Sequence, residues 1–147
     1  MSAADPVDLA RFVDAQAANF DDALAELVEG RKRTHWMWYV FPQIAGLGTS
    51  AMAQRFAIAG PDEARAYLAH PVLGPRLATC AQAVLAHAGT PARAIMGTPD
   101  DLKLRSSATL FAGVSPPGSV FHRLLDAFFG GEADPLTERL VDAAVRR

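Results

Sequence analysis

Residues 31–50 read RKRTHWMWYVFPQIAGLGTS, and the interpretation of the whole chain begins from this stretch. It holds both tryptophans of the protein, and four aromatic side chains fall within six of its residues. Rings this large and this numerous cannot all be exposed on a soluble protein, so some of them must belong to the core. Pro42 disfavours helical backbone at the residue before it. We therefore expect a short helical turn that ends near Phe41 and continues as a buried, extended segment.

The rest of the chain has the periodicity of amphipathic helices. Apolar residues recur three and four positions apart, and glycine, proline and capping residues punctuate them. The alternation in residues 35–41 also fits a strand, but no convincing second strand exists to pair with it. Helix-start signals occur at Asp5, Asp21, Ser50, Pro61, Pro75, Thr98 and Asp134, and residues 119–130 give a further helix. The sequence predicts an all-α fold: a single domain over residues 1–147, arranged as an irregular orthogonal bundle of seven or eight short helices.

The composition limits the classes of function. The chain has 147 residues, half of them hydrophobic and a fifth charged, which is typical of one soluble globular domain. Its net charge of -2 argues against general nucleic-acid binding. No apolar run approaches the ~20 residues of a membrane span, and the N-terminal residues lack a signal-peptide pattern. The single cysteine, Cys80, excludes an internal disulfide. We expect a cytoplasmic protein that binds neither nucleic acid nor membrane; a homo-oligomer is permitted but not indicated.

The first candidate site is the basic segment at residues 31–35. An arginine such as Arg33 presents a planar fork of donors that suits a phosphate or carboxylate. His35 is close in sequence to Trp36 and Trp38, and partial burial there suits a histidine to general acid or base catalysis. The residue types favour a structural interpretation over this one. Basic residues stabilise the C-terminal end of a helix, and a histidine in such a turn often bonds to the backbone.

The second candidate site is the hydroxyl-rich stretch DDLKLRSSAT at residues 100–109. If it is helical, Lys103, Ser106 and Ser107 share one face. Serine and threonine lower helix propensity, and local conflicts of this kind are expected at functional sites. Lys103 beside two serines allows Ser–Lys chemistry, and Asp100 supplies a carboxylate for hydrolysis. The alternative is that small hydroxyl side chains let two helices approach closely.

The third candidate site surrounds the sequence HPVLGPR, with His70 at the end of one helix and Arg76 in the first turn of the next. A surface salt bridge is the alternative role for Arg76. The four histidines show none of the paired spacings of zinc sites, so we expect no metal. The sequence contains neither the glycine-rich nucleotide loops nor the GxSxG motif, and it indicates no cofactor.

Four segments of the chain resemble a known family. They are THWMWYVFPQIAGLGTSAMAQRFAI, EARAYLAHPVLGPRL, IMGTPDDLKLRSSATLF and FHRLLDAFFGGEADPLT. They resemble the domain-of-unknown-function 1810 family of bacteria and fungi, over nearly the whole chain. The resemblance implies an all-α fold and no established activity. The label calpastatin, sometimes given to this family, finds no support here, because that inhibitor is a disordered repeat protein and this chain is compact and apolar.

Three functions remain open at this point. In the first, the protein binds or processes a small phosphate-bearing ligand, such as a nucleotide or an ADP-ribose-like molecule, in an aromatic and basic pocket. In the second, part of the aromatic segment is exposed and binds a protein partner. In the third, the segment is wholly core and the chain is a helical adaptor or homodimer. The candidate catalytic residues are His35, Lys103 and Asp100. The candidate ligand-binding residues are Arg33, His35, Trp36, Trp38, Gln43, His70, Arg76, Lys103, Ser106 and Ser107.

Overall fold

The computed structural model of the protein describes residues 8–146, and this part of the chain is helical. Across these residues the one β-type pairing is an isolated parallel bridge between Ile44 and Ile58. The all-α prediction is therefore confirmed. The helices are α1 (Ala10–Ala17), α2 (Phe20–Glu29), α3 (Met37–Val40), α4 (Ala51–Arg55), α5 (Pro61–Ala69), α6 (Leu73–Leu85), α7 (Ala92–Met96), α8 (Asp100–Ala112), α9 (Val120–Phe129) and α10 (Pro135–Val145).

The ten helices of residues 8–146 exceed the predicted seven or eight because two short turns, α3 and α7, are regular enough to count as helices. The first predicted helix start, at Asp5, lies outside the described residues. No helix within the described range combines the length and the apolar character needed to cross a bilayer.

Side-chain caps and glycines set most of the helix ends. Oγ of Ser50 accepts a hydrogen bond from the backbone N–H of Ala53 at the start of α4, and Oδ2 of Asp134 does the same for Thr137 in α10. Both starts were predicted from sequence and are confirmed. Gly30 ends α2 in the left-handed conformation, with φ of 82°.

The predicted cap at Thr98 is wrong. Helix α8 begins at Asp100, and the residue before it, Pro99, has no side-chain cap. The hydroxyl of Thr98 instead donates to the carboxylate of Asp101 at 3.0 Å.

Helix α8 lies at the centre of the bundle and packs against α5, α7, α9 and α10. A chain of aromatic rings crosses the core through it: Phe12 meets Tyr67 edge to face at 5.1 Å between ring centroids, Tyr67 lies 5.4 Å from Phe111, and Phe111 lies 5.6 Å from Phe121. These contacts join α1, α5, α8 and α9, and such pairs stabilise beyond the area that they bury.

The segment after α3 has the extended, buried form expected of it. Phe41 and Ile44 are each 2% exposed. The N–H of Ile58 donates to the carbonyl of Gln43, and the N–H of Ala45 donates to the carbonyl of Ile58, both at 2.8 Å. The sequence did not show that Ile58 would pair with this segment, because a single bridge leaves no alternating pattern of its own.

Candidate functional site

The carboxylate of Glu26 organises the loop between α2 and α3. Glu26 lies on the buried face of α2 and is 5% exposed. Its Oε1 accepts hydrogen bonds from the backbone N–H groups of Arg33 and Thr34, at 2.7 and 2.9 Å, and from Nε1 of Trp36 at 3.0 Å. Its Oε2 accepts from Oγ1 of Thr34 at 2.6 Å. One side chain therefore satisfies four donors and fixes this loop against α2.

The same contacts set the ionisation of Glu26. Burial alone raises the pKa of this carboxyl, because it disfavours the charged form. The hydrogen bonds from the Thr34 hydroxyl, from two backbone N–H groups and from the Trp36 indole outweigh that effect and lower the pKa from 4.5 to about 2. Glu26 is consequently a carboxylate at neutral pH.

Both lysines of the chain lie beside Asp100, in the first turn of α8. Nζ of Lys32 is 2.9 Å from Oδ2 of Asp100, and Nζ of Lys103 is 3.6 Å from Oδ1. Each ammonium also lies near a tryptophan ring: Lys32 is 4.9 Å from the centroid of Trp36, and Lys103 is 5.8 Å from that of Trp38. Two positive charges thus face one negative charge, and the cluster keeps an excess of positive charge.

A cavity of about 270 Å³, which we call the lysine cavity, adjoins this cluster. Its lining includes both lysines, Asp100, His35 and Trp38, together with residues 96–99 of the turn between α7 and α8. His35 is exposed, whereas Trp38 is half-buried. An aromatic wall with a few convergent polar groups is typical of small-ligand pockets. The three candidate catalytic residues all lie on this one cavity.

The aromatic side chains of residues 36–41 divide between the core and the cavity. Trp36 and Phe41 are 1% and 2% exposed, with ring centroids 6.4 Å apart. Tyr39 packs on Phe56 at 5.3 Å. Trp38 is the ring of this group that lines the lysine cavity. The segment is therefore not wholly core.

Gln43 lies on a second cavity of about 180 Å³, which we call the glutamine cavity. This cavity is bounded by the extended segment after α3 and by α4. Trp38 lines it as well, so the two cavities share one aromatic side chain.

The hydroxyl groups of α8 do not line the lysine cavity. Oγ of Ser106 donates to the carbonyl of Leu102 at 3.2 Å and to Oδ2 of Asp134 at 3.3 Å. Thr109 accepts from the N–H of Asp134 at 2.9 Å. Ser107 is 1% exposed, and its Oγ makes no hydrogen bond. The hydroxyls of Ser106 and Thr109 therefore attach the loop before α10 to α8, and this contact accounts for two of the polar groups inside a core helix.

The remaining candidates, His70, Arg76 and Arg33, also lie away from the lysine cavity. Nδ1 of His70 accepts hydrogen bonds from two backbone N–H groups at the start of α6, at 3.1 and 3.2 Å. The guanidinium of Arg76 lies 4.8 Å from the ring of Phe20. Arg33 forms an exposed ion pair with Glu29 at 2.5 Å. These contacts give the three side chains local structural roles.

The sequence reasoning missed Glu26 and the position of Lys32. A signal for Glu26 was present, since it follows Ala23 and precedes Leu27 on the apolar face of α2, where a charged residue is unusual. No such signal exists for Lys32. Its place beside Asp100 depends on the hydrogen bond from its own N–H to the carbonyl of Ile95 in α7, at 2.7 Å.

Comparison with known proteins supports the resemblance seen in the sequence. The family model described as "Protein of unknown function (DUF1810)" matches residues 6–141. A crystal structure of a conserved hypothetical protein from Mycobacterium tuberculosis is 48% identical in sequence and has a TM-score of 0.91, covering 94% of this chain and 99% of that one. None of the curated proteins matches the chain significantly. The chain thus belongs to the DUF1810 family.

Proposed function

We propose that the protein binds a small phosphate-bearing ligand, of the nucleotide or ADP-ribose-like class, in the lysine cavity. The observation that supports this most directly is the meeting of the chain's two lysines at one carboxylate, on the wall of a cavity. The excess positive charge makes the cavity attractive to an anion, and the effect is strongest where solvent screening is reduced.

The lysines differ in their accessibility, and this divides their roles. The side chain of Lys32 is 7% exposed, and its Nζ also donates to the carbonyl of Thr34 at 2.6 Å. The side chain of Lys103 is 30% exposed and lies farther from Asp100. Lys103 therefore contacts the phosphate first, as a point charge, while Lys32 is a fixed positive charge behind it.

Trp38 gives the cavity a surface for the rest of the ligand. Its side chain is half-buried and lines the cavity. Aromatic rings stack on bases and sugars through dispersion and apolar burial. His35 and Asp100 line the same wall and, with Lys103, are the candidate catalytic residues for a reaction of the bound ligand.

Tryptophan fluorescence tests the proposal. We expect AMP, UMP or ADP-ribose to quench the emission of Trp38 with micromolar to millimolar dissociation constants. In Trp38→Phe the quenching disappears, because the remaining tryptophan, Trp36, is buried. Lys103→Met weakens binding about tenfold, the equivalent of one charge-assisted contact. The matched control is Arg123→Met, which removes an exposed positive charge on α9 and leaves affinity unchanged.

The small number of lysines provides a second readout. An amine-reactive reagent can modify only Lys32, Lys103 and the N-terminal amine. A bound phosphate protects Lys103 from modification. Absence of both quenching and protection across the panel rejects the proposed function.

A further inference from the structure

The glutamine cavity differs from the lysine cavity in its chemistry. Its polar side chains are the amides of Gln43 and Gln54, and its apolar lining includes Ile44 and Phe56. The residues that line it are otherwise alanine, glycine and Trp38, so no charged side chain contributes to its wall. An ionised group placed there would lack a counter-charge, whereas a neutral group that forms hydrogen bonds would fit.

The wall that carries Gln43 is held rigidly. The backbone carbonyl of Gln43 accepts from the N–H of Ile58, and the N–H of Ala45 donates to the carbonyl of Ile58, both at 2.8 Å. These two bonds fix the backbone on either side of the buried Ile44 side chain. The backbone that carries the Gln43 side chain is therefore fixed, and its amide offers both a donor and an acceptor. Gln54 is tied differently, since its Nε2 donates to the carbonyl of Thr49 at 2.8 Å.

The close approach of the neighbouring loop keeps this cavity narrow. A Cβ added to Gly48 would lie 2.6 Å from the Cβ of Ala53 in α4. Such a distance is shorter than real carbon contacts, so only glycine allows the loop to lie against α4 at this point. The loop and α4 together leave a volume of about 180 Å³.

That volume matches one aromatic ring. An engineered apolar cavity of about 150 Å³ holds a benzene molecule. A cavity of about 180 Å³ therefore accommodates a six-membered heterocycle with its polar edge groups.

We propose, resting on the proposed function, that the lysine cavity and the glutamine cavity are two halves of one site that share Trp38. The phosphate occupies the lysine cavity. A neutral base occupies the glutamine cavity, stacks on Trp38 and exchanges hydrogen bonds with the Gln43 amide. The ligand class is thus a nucleotide with an uncharged base.

A panel of four probes tests this proposal on the wild-type protein: orthophosphate, uridine, UMP and AMP. Calorimetric titration measures each dissociation constant. We expect UMP to bind about tenfold more tightly than orthophosphate or uridine, because it occupies both cavities. We expect AMP, whose base is also neutral, to bind more tightly than orthophosphate as well.

The variant Gln43→Leu tests the assignment of the amide. It keeps the side-chain length and removes the hydrogen-bonding groups. We expect UMP affinity to fall about fivefold to tenfold, while orthophosphate affinity stays unchanged. The control is Gln82→Leu, the same substitution at an exposed position of α6, which leaves both affinities unchanged.

Two results overturn the two-part site and leave the proposed function standing: equal affinities for UMP and orthophosphate, or no effect of Gln43→Leu on UMP affinity. Absence of saturable binding by UMP, AMP and orthophosphate alike rejects the proposed function as well. The wild-type panel decides the matter even if Gln43→Leu does not fold.

Discussion

Trp36 donates its indole N–H to Oε1 of Glu26 over 3.0 Å, and this bond joins the aromatic segment to the buried face of α2. Trp36 is also the ring under Lys32, whose ammonium faces the lysine cavity. The contact therefore links a core carboxylate to one wall of the candidate site. A substitution at Glu26 therefore changes the stability of the protein. Through the bond to Trp36 it also changes the position of the loop at the candidate site.

The pKa of Glu26 predicts how stability depends on pH. The folded-state pKa of about 2 lies below the ordinary value of 4.5. The contribution of Glu26 is therefore fully present above pH 4.5 and is lost as the pH falls towards 2. The expected loss is about 3 kcal/mol of unfolding free energy, which urea titrations at several pH values measure.

Glu26→Gln removes this part of the pH dependence and lowers stability at neutral pH by about 2 kcal/mol. The control is Glu29→Gln, since Glu29 is half-exposed in its ion pair with Arg33 and surface pairs contribute little. If Glu26→Gln and the wild type lost stability in parallel between pH 4.5 and 2, the four hydrogen bonds would not be the cause of a lowered pKa at Glu26.

Much of the fold was predictable because its signals are local. Ser50 and Asp134 cap their helices through contacts within three residues, and Gly30 ends α2 through its own backbone freedom. Signals of this kind are present in a short window of sequence. The predicted cap at Thr98 was wrong because α8 begins two residues later, at Asp100, and the Thr98 hydroxyl donates to the carboxylate of Asp101.

The candidate site was predictable only in part. The sequence indicated Trp38, Lys103, His35 and Asp100, which the structure brings to one cavity. The sequence did not distinguish these site residues from the buried Ser107. Residues three and four positions apart on a helix lie on only approximately the same face, so the spacing placed Ser107 with them. Whether a side chain on that face meets a cavity or another helix depends on how α8 packs, and this information is not local.

The two tryptophans are expected to differ in their effect on stability. Trp36 is 1% exposed, so Trp36→Ala should lower the free energy of unfolding by about 3–5 kcal/mol. Trp38 is half-buried beside two cavities, so Trp38→Ala should lower it by about 1–2 kcal/mol. Urea unfolding followed by far-UV circular dichroism measures both. Equal losses would mean that Trp38 is a core residue and not a wall of the site.

Adjacent serines in α8 offer a matched pair of substitutions. The buried hydroxyl of Ser107 has no hydrogen bond, so Ser107→Ala removes an unsatisfied group and should leave stability unchanged or raise it by up to about 1 kcal/mol. The hydroxyl of Ser106 bonds to Asp134, so Ser106→Ala should lower stability by about 1 kcal/mol. Thermal and urea unfolding compare the two. A larger loss for Ser107→Ala would reveal a partner for its hydroxyl.

The crossing of α5 and α6 depends on Gly74. A Cβ added there would lie 2.1 Å from the carbonyl oxygen of Leu68, which belongs to backbone that cannot move aside alone. Gly74→Ala should therefore lower stability by about 3 kcal/mol or more. Gly113→Ala is the control, because its Cβ would meet the nearest atom, the carbonyl oxygen of Leu110, at 3.4 Å. A melting temperature unchanged in Gly74→Ala would show that the two helices separate at little cost.

Asp100 should lower the affinity of the lysine cavity for anions, and replacing Asp100 should raise that affinity. The carboxylate occupies the space between Lys32 and Lys103, so a phosphate competes with it for both ammonium groups. Asp100→Asn removes the competing charge, and we expect orthophosphate to bind roughly fivefold more tightly. The same change removes the carboxylate partner of the largely buried Lys32 ammonium and a favourable acid from the first turn of α8, and should lower stability by about 2 kcal/mol. Asp101→Asn is the control, since Asp101 is also in that turn but bonds to Thr98 and does not line the cavity. Weaker orthophosphate binding by Asp100→Asn than by Asp101→Asn would mean that Asp100 positions the lysines more than it competes for them.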